Sequence, residues 1–259
     1  MSLVMGFFED FRGFLYRMPQ TLIFSRNSVN VNKSMFVVPQ DCAAHKISLS
    51  IKDVVWRIPH IKFNIASETK IRNEILKNTA YQMEFRNWQY LFKRMVGGVS
   101  EYTHEIPAFK NTTKFAIIGF QTARDTDGTK DSSRFDLCDL ESVQIQLNDI
   151  KLYPRERLSL KVNERRTGAL YEMYKQFKYA YYEESTLYEP LVDYNTFIAK
   201  YPLIALDCSH QPVLIKESLI NVKIHFTWRT NVPENTIIHM ILITDRKIIY
   251  NPLHNRVIG

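Results

Sequence analysis

Alternation of apolar and polar residues with a period of two is the clearest pattern along this sequence. Residues 222–229 carry large apolar side chains at every second position, separated by Lys, His, Thr and Arg. Residues 143–148 and 47–51 repeat the alternation in shorter form. Because successive side chains of a strand point to opposite faces, the pattern predicts three strands with one face in the core and one in water.

Other segments are continuous apolar runs, which are typical of strands covered on both faces or lying centrally in a sandwich. They comprise residues 115–120, 203–206 and 237–243. Residues 82–92 mix aromatic and charged side chains and are predicted as a further strand. We therefore predict about eight strands.

Two segments have helical spacing. Ser67–Lys77 is predicted as a short helix with Ser67 as its cap. Thr167–Tyr182 is a longer one, with Thr167 as candidate N-cap and an apolar stripe that includes Leu170, Tyr174, Phe177 and Tyr181. Such a stripe is more often the face that packs a helix onto a sheet than a platform for a ligand.

The order and spacing of these elements favour a β-sandwich. The intervals between strands are irregular and several connections are long, whereas an up-and-down barrel has short, even hairpins. Strands do not alternate regularly with helices, which argues against a parallel α/β sheet. We predict an N-terminal arm over residues 1–35 and a single domain over residues 36–259.

Composition and charge narrow the class of protein. The chain is 45% hydrophobic and 24% charged, as folded globular proteins are, and its net charge is +7. The densest basic group, within residues 155–166, is interrupted by Glu156 and Glu164, which favours a solvated or polyanion-facing surface over a dedicated nucleic-acid site. The N-terminal apolar run is too short for a signal peptide, and no stretch reaches the roughly 20 apolar residues of a membrane span. Synthesis inside the cell is therefore expected.

No motif in the sequence identifies a catalytic, cofactor-binding or metal-ligating residue. The sequence lacks the phosphate-loop, dinucleotide-binding, nucleophile-elbow and HExxH motifs. Residues 125–128 resemble the start of a calcium loop but lack the Gly and Glu that its later positions require, so a polar turn is expected. Cys208 lies near His210, but neighbours on an extended chain point apart, and buried, reduced thiols are predicted for the three cysteines. We predict that the protein is not an enzyme and binds no cofactor.

Several segments, taken together and in order, resemble the jelly-roll domain of double jelly-roll major capsid proteins, especially the capsid-like proteins of Polinton (Maverick) elements and related DNA viruses of invertebrates. The resemblance spans about Met5 to Val257. It rests on Met5–Asp10 (MGFFED), Ile51–His60 (IKDVVWRIPH), Phe120–Arg124 (FQTAR), Phe135–Leu140 (FDLCDL) leading into residues 143–154, Leu170–Tyr174 (LYEMY), Tyr201–Ser209 (YPLIALDCS), Ile243–Arg246 (ITDR) and Ile249–Pro252 (IYNP).

The resemblance implies an all-β fold: an antiparallel, eight-stranded jelly-roll β-sandwich with one or two short inserted helices. It implies a structural protein of a virion or capsid whose partners are copies of itself, other capsid proteins and, non-specifically, a packaged genome. Capsid proteins of this kind carry two jelly rolls, whereas the strands here suffice for one, so the chain matches the C-terminal roll or a shorter relative. The expected assembly contacts lie in a polar loop and on an aromatic helix: Arg124, Asp125, Asp127, Lys130, Tyr171, Tyr174, Tyr181 and Tyr182.

Two other functions stay open at this point. A lectin-like or receptor-binding sandwich would use exposed carboxylates beside an aromatic ring, for which Asp125, Asp127 and Asp131 near Phe135 are candidates. A cupin-type metalloenzyme needs His and carboxylate ligands that converge from neighbouring strands. His225 and His239 lie on candidate adjacent strands, but the usual His-x-His pair is absent.

Overall fold

A computed structural model describes residues 7–11, 13, 15–16, 18, 20–23, 52–58, 60–109, 113–125, 127, 130–148, 151–153, 160, 167–182, 191–209 and 220–258. The helices within these residues are α1 (Phe7–Asp10), α2 (Ile65–Leu76), α3 (Gly168–Tyr182) and α4 (Tyr194–Lys200). The strands are β1 (Tyr81–Arg94), β2 (Glu101–Phe109), β3 (Thr113–Thr122), β4 (Leu140–Leu147), β5 (Lys151–Tyr153), β6 (Ile204–Asp207), β7 (Ile220–Trp228), β8 (Thr236–Asn251) and β9 (Arg256–Ile258).

The strands form two sheets with crossed connections. The first has the order β1-β8-β3-β6, with β9 paired to β8, and the second has the order β2-β7-β4-β5. The chain changes sheet at nearly every step from β1 to β8, and the paired strands run antiparallel. Eight strands wound in this way into two facing sheets make a jelly-roll β-sandwich. The predicted fold class is therefore confirmed.

Most of the predicted strands are present. Those predicted at 82–92, 115–120, 143–148, 203–206, 222–229 and 237–243 correspond to β1, β3, β4, β6, β7 and β8. The strand predicted at 47–51 lies outside the described residues. The strands β2, β5 and β9 were not predicted, because they are short or rich in polar residues and therefore lack a clear apolar alternation.

The core lies between the two sheets. In β7, the alternating residues Val222, Ile224, Phe226 and Trp228 are all buried, as the period-two pattern predicted. The rings of Phe226 and Trp228 form a cluster with Phe120 of β3, whose ring centre lies 5.8 Å from that of Phe226. Burial of such side chains contributes roughly 1.5–3 kcal/mol each, so this face makes a substantial contribution to the stability of the sandwich.

A second, smaller apolar cluster lies on the opposite face of the first sheet, where α3 packs. Phe115 of β3 meets Phe177 of α3 edge to face, with ring centres 5.2 Å apart. Tyr181 is buried in the same cluster together with Ile243 of β8. The prediction that the aromatic stripe of this helix packs onto the sheet is confirmed.

The helix starts differ in detail from the predictions. The cap of α2 is Asn64, whose side-chain oxygen accepts a hydrogen bond from the Ser67 backbone N–H at 2.8 Å, so the predicted cap at Ser67 is wrong. Thr167 does precede α3, but its hydroxyl forms a hydrogen bond with Tyr194 Oη at 2.8 Å. None of the described helices is long and apolar enough to cross a membrane.

The chain divides into two compact units. One comprises residues 1–29, 47–87 and 245–259, and the other residues 30–46 and 88–244. In the first unit, Arg86 forms an ion pair with Asp10 and Tyr250 Oη donates a hydrogen bond to the Tyr16 carbonyl. The second unit contains β2 to β7, α3 and α4. The boundary predicted at residue 35 falls outside the described residues and stays a prediction.

The outermost described strand of the second sheet is irregular. β2 is outermost in the described order β2-β7-β4-β5. Its pairing with β7 is regular from Glu101 to Ile106, and the register then shifts before Phe109. Pro107, which has no backbone N–H, lies in this shifted stretch, as is usual for proline in an edge strand or a bulge.

Candidate functional site

The polar loop that follows β3 is built around an ion pair between Arg124 and Asp136. The two side chains are 15% and 28% exposed, and the carboxylate also accepts a hydrogen bond from the Thr122 backbone N–H at 2.9 Å. Arg124 Nη1 donates to the Asp131 carbonyl at 2.8 Å. The neighbouring carboxylate, chiefly by hydrogen bonding, raises the pKa of Arg124, which stays charged. Arg124 therefore holds the loop in shape.

The other loop residues named as assembly contacts have different environments. Asp125 forms an ion pair with Arg94 at the end of β1, and its carboxylate is about one third exposed. The Asp127 backbone N–H donates to the Ala123 carbonyl at 3.0 Å. Lys130 is exposed and its ammonium lies 3.5 Å from the Thr122 carbonyl. The loop thus offers charges of both signs on a conformation fixed by its own hydrogen bonds.

The four tyrosines of α3 that were named as assembly contacts are unequally accessible. Tyr171 Oη donates to the Val192 carbonyl at 3.0 Å, and Tyr174 stacks on Phe197 with ring centres 5.0 Å apart. Burial raises the pKa of Tyr174. Tyr181 is buried and accepts a hydrogen bond from Trp88 Nε1 at 3.1 Å. Tyr182 is the exposed member of the four.

The geometry does not assemble the cupin-type site. His225 lies on β7 in the second sheet and His239 on β8 in the first, so the expectation that their strands are adjacent is wrong. His225 contacts Thr103 Oγ1 through Nδ1 and Gln146 Oε1 through Nε2, each at 2.9 Å. Among the described residues, no group of His, Cys, Asp and Glu could hold a metal ion.

The residues considered for a lectin-like site are already engaged within the chain. The Asp131 carboxylate accepts hydrogen bonds from Ser133 and pairs with Arg134, and these contacts lower its pKa. The Phe135 ring packs against Gly119, where an added Cβ would lie 2.6 Å from it. No open platform of carboxylates beside an aromatic ring results from this arrangement in the described part of the loop.

The thiol considered as a nucleophile is buried. Cys208 is inaccessible to solvent, and desolvation raises the pKa of its thiol well above the ordinary value. Because the thiolate is the nucleophilic form, this cysteine is inert. His210 and Cys42 lie outside the described residues. Cys138 is partly buried, and its thiol lies 3.5 Å from Thr122 Oγ1.

One group of exposed residues was missed by the sequence analysis. Trp88, Tyr90 and Phe92 stand at every second position of β1 and are 38%, 56% and 65% exposed. The alternation of aromatic residues within 82–92 signals that they share one face of a strand. It does not signal that this face is accessible, because strictly alternating large apolar residues normally mark a buried face.

The histidine beside this row makes folding stability depend on pH. His239 Nδ1 lies 2.8 Å from Tyr90 Oη, and its buried Nε2 has no hydrogen-bond partner in the described part of the chain. Desolvation lowers its pKa below 6.5, partly offset by Asp125. The folded state therefore binds fewer protons than the unfolded chain just below about pH 6.5, and stability falls as the pH drops through that window.

We expect the variant His239→Gln to lose part of this pH dependence. Glutamine can still bond Tyr90 but does not titrate, so the fall in unfolding free energy between about pH 7 and about pH 5 should become smaller. His104, whose pKa is also lowered by desolvation and by Lys93, accounts for a further part and provides the matched variant His104→Gln. Urea unfolding at several pH values measures both. An unchanged pH profile for His239→Gln would contradict the assignment.

Fold and site together define the class of protein. It is a two-sheet antiparallel sandwich with polar and aromatic groups on its surfaces. Its described residues assemble no catalytic or metal centre. A family model for the double jelly roll-like domain matches residues 1–248. The chain belongs to the double jelly roll-like domain family. This domain is typical of viral capsid proteins, and the family is structural rather than enzymatic. No curated protein matches the chain.

Proposed function

We propose that this protein is a capsid-type subunit that assembles with copies of itself into a shell around a genome and catalyses nothing. The single observation that carries the proposal is the jelly-roll strand order, found in a chain whose family match covers residues 1–248. A rigid sandwich that presents its side surfaces and loops is suited to repeated contacts between identical subunits.

The proposal includes a trimer-based capsomer, other capsid proteins as further partners, and the virion as location. The net charge of +7 supports sequence-independent contact with a packaged nucleic acid. The likeness to the capsid-like proteins of Polinton-type elements supports an origin in such an element or a related virus. The loop from Arg124 to Lys130 and the exposed Tyr182 are proposed as contact elements on the grounds of their accessible polar and aromatic groups.

The first experiment measures the mass of the purified protein by light scattering after size exclusion, followed by negative-stain imaging of the peak. We expect trimers or closed particles, whose proportion rises with protein concentration because assembly follows mass action. A strict monomer at every concentration would contradict self-assembly of this chain. Elemental analysis of the same sample provides the control for catalysis, because a stoichiometric transition metal would support an enzyme instead.

A further inference from the structure

Four exposed aromatic side chains form a band on the outer face of the first sheet. The band consists of Trp88, Tyr90 and Phe92 of β1 and Tyr182 of α3. Two contacts show that the side chains of this β1 row point to the outer face. Tyr90 stacks on His239, and Trp88 meets Tyr181 edge to face with ring centres 5.8 Å apart. His239 alternates along β8 with Ile238 and Met240, which are buried in the core.

The rings of the band are linked into one surface. Phe92 stacks on Tyr90 with ring centres 6.1 Å apart. At the other end of the band, Tyr181 connects Trp88 to Tyr182, whose ring centre lies 5.0 Å from that of Tyr181. A continuous path of aromatic contacts therefore runs from the end of α3 to the row of β1 residues.

The exposed area of the band suits the centre of a protein interface. Its four side chains are 38–65% exposed, which leaves about 300–500 Å² of aromatic surface uncovered, since a side chain of this kind has about 150–250 Å² to bury. That equals the largest apolar patch of a typical monomer and about half of the roughly 800 Å² that each partner contributes to a stable interface.

The composition of the band is also that of an interface core. None of its four members is charged, and charged groups begin at the end of the row, where Arg94 pairs with Asp125. Aromatic residues at the centre with a polar, charged rim characterise protein interfaces, and tryptophan and tyrosine are the residue types most enriched among binding hot spots.

We infer that the band is the contact surface for a second copy of this chain, related by a two-fold axis that passes near Tyr90. Aromatic residues lie symmetrically about Tyr90, with Trp88 two positions before it and Phe92 two positions after it. A two-fold axis that passes near Tyr90 and runs perpendicular to β1 in the plane of the interface places Trp88 opposite Phe92 of the second copy, and Tyr90 opposite its own equivalent. A self-complementary patch of this kind is what an isologous dimer requires.

This inference rests on the proposed function and deepens it, because the two-fold contact joins subunits of different trimers and is distinct from the three-fold contact within one capsomer. Face-to-face packing of two such rows lets the rings adopt the offset or edge-to-face arrangements that aromatic pairs prefer. It also accounts for the exposure of Phe92 and Tyr90, which is costly for an isolated subunit because large apolar patches promote non-specific association.

The experiment compares the wild-type protein with the double variant Tyr90→Ser/Phe92→Ser. The association constant is measured by light scattering and sedimentation over a concentration series. We expect the double variant to have a dissociation constant at least about tenfold higher, because it removes the central rings of each copy. Leu191→Ser is the matched control, since Leu191 is 82% exposed and lies outside the band, and it should associate as the wild type does.

Two further variants separate loss of contact from loss of folding. Tyr90→Phe keeps the ring and removes only the hydrogen bond to His239, so it should associate normally. Tyr90→Cys places a thiol near the axis, and a short bismaleimide reagent should link two copies through it, above the background given by the native cysteines. Thermal unfolding by circular dichroism verifies that each variant is folded.

The outcomes distinguish the two proposals. If the wild type assembles and the folded double variant assembles with the same dissociation constant, the band is not the contact surface, while self-assembly stands. If the wild type is monomeric at every concentration, both proposals fail. If Leu191→Ser weakens association as much as the double variant does, the effect reflects loss of surface hydrophobicity in general, and the assignment to the band is overturned.

Discussion

Replacement of Trp228 by alanine is expected to lower the free energy of unfolding by about 3–5 kcal/mol, the range for removal of a large aromatic side chain from a core. Trp228 is 2% exposed and ends the best-patterned strand of the sequence. Its ring stacks on Phe226 at 5.5 Å between centres and meets Phe120 edge to face at 5.9 Å. Alanine leaves a cavity between the two sheets that these neighbours cannot fill without distorting their own rotamers.

The matched variant is Trp228→Phe, which retains most of the aromatic contacts. The indole Nε1 is buried, with no hydrogen-bond partner in the described part of the chain, so phenylalanine also removes an unsatisfied donor. We expect a loss of less than about half that of the alanine variant. Urea unfolding, followed by far-ultraviolet circular dichroism because the variants remove a tryptophan fluorophore, measures the unfolding free energy of both variants. A loss under about 1 kcal/mol for Trp228→Ala would mean that the inward face of β7 has been assigned incorrectly.

Replacement of Asp136 by alanine is expected to cost about 2–3 kcal/mol. The change leaves the Arg124 guanidinium without its carboxylate and the Thr122 backbone N–H without its acceptor. Removing one member of a fully buried ion pair costs about 3–5 kcal/mol, and the smaller value follows because water reaches part of both side chains. The loop after β3 should become looser as well, since Arg124 also anchors it through the Asp131 carbonyl.

A double-mutant cycle with Arg124→Met separates the ion pair from the backbone contact. Asp136→Asn keeps an oxygen for Thr122 and removes the charge, so its cost measures the electrostatic part, about 1–2 kcal/mol. Hydrogen exchange of the loop amides provides the second measurement. If Asp136→Ala unfolds at the wild-type urea concentration and exchange is unaltered, the loop is held by other contacts.

How far the sequence predicts this fold depends on where each strand lies. β7 and β4 face the core on one side and water on the other, so their apolar residues alternate strictly and both were predicted. The continuous runs of β3, β6 and β8 were recognised because both faces of the first sheet carry apolar clusters. β2 was missed because its inward positions include Tyr102 and His104 beside Ile106, and these polar groups weaken the apolar alternation.

The candidate surfaces were less predictable, because accessibility depends on residues distant in sequence. Tyr181 and Tyr182 are neighbours in α3, yet Phe115 and Ile243 cover only Tyr181. Likewise, His225 and His239 are only 14 positions apart in sequence, but the chain crosses from the second sheet to the first between them, so their strands are not paired. Pairing of strands cannot be obtained from period-two patterns alone, so the expected meeting of these histidines was wrong.

The shifted register at Pro107 has a consequence for the behaviour of the protein at high concentration. The outer side of a sheet with regular free amides can template further strands and grow into fibrils. At Pro107 the ladder lacks one donor, and the break between Ile106 and Phe109 interrupts the spacing that an incoming strand would have to match. This border of the sandwich is therefore a poor template for amyloid-like polymerisation when the protein is concentrated.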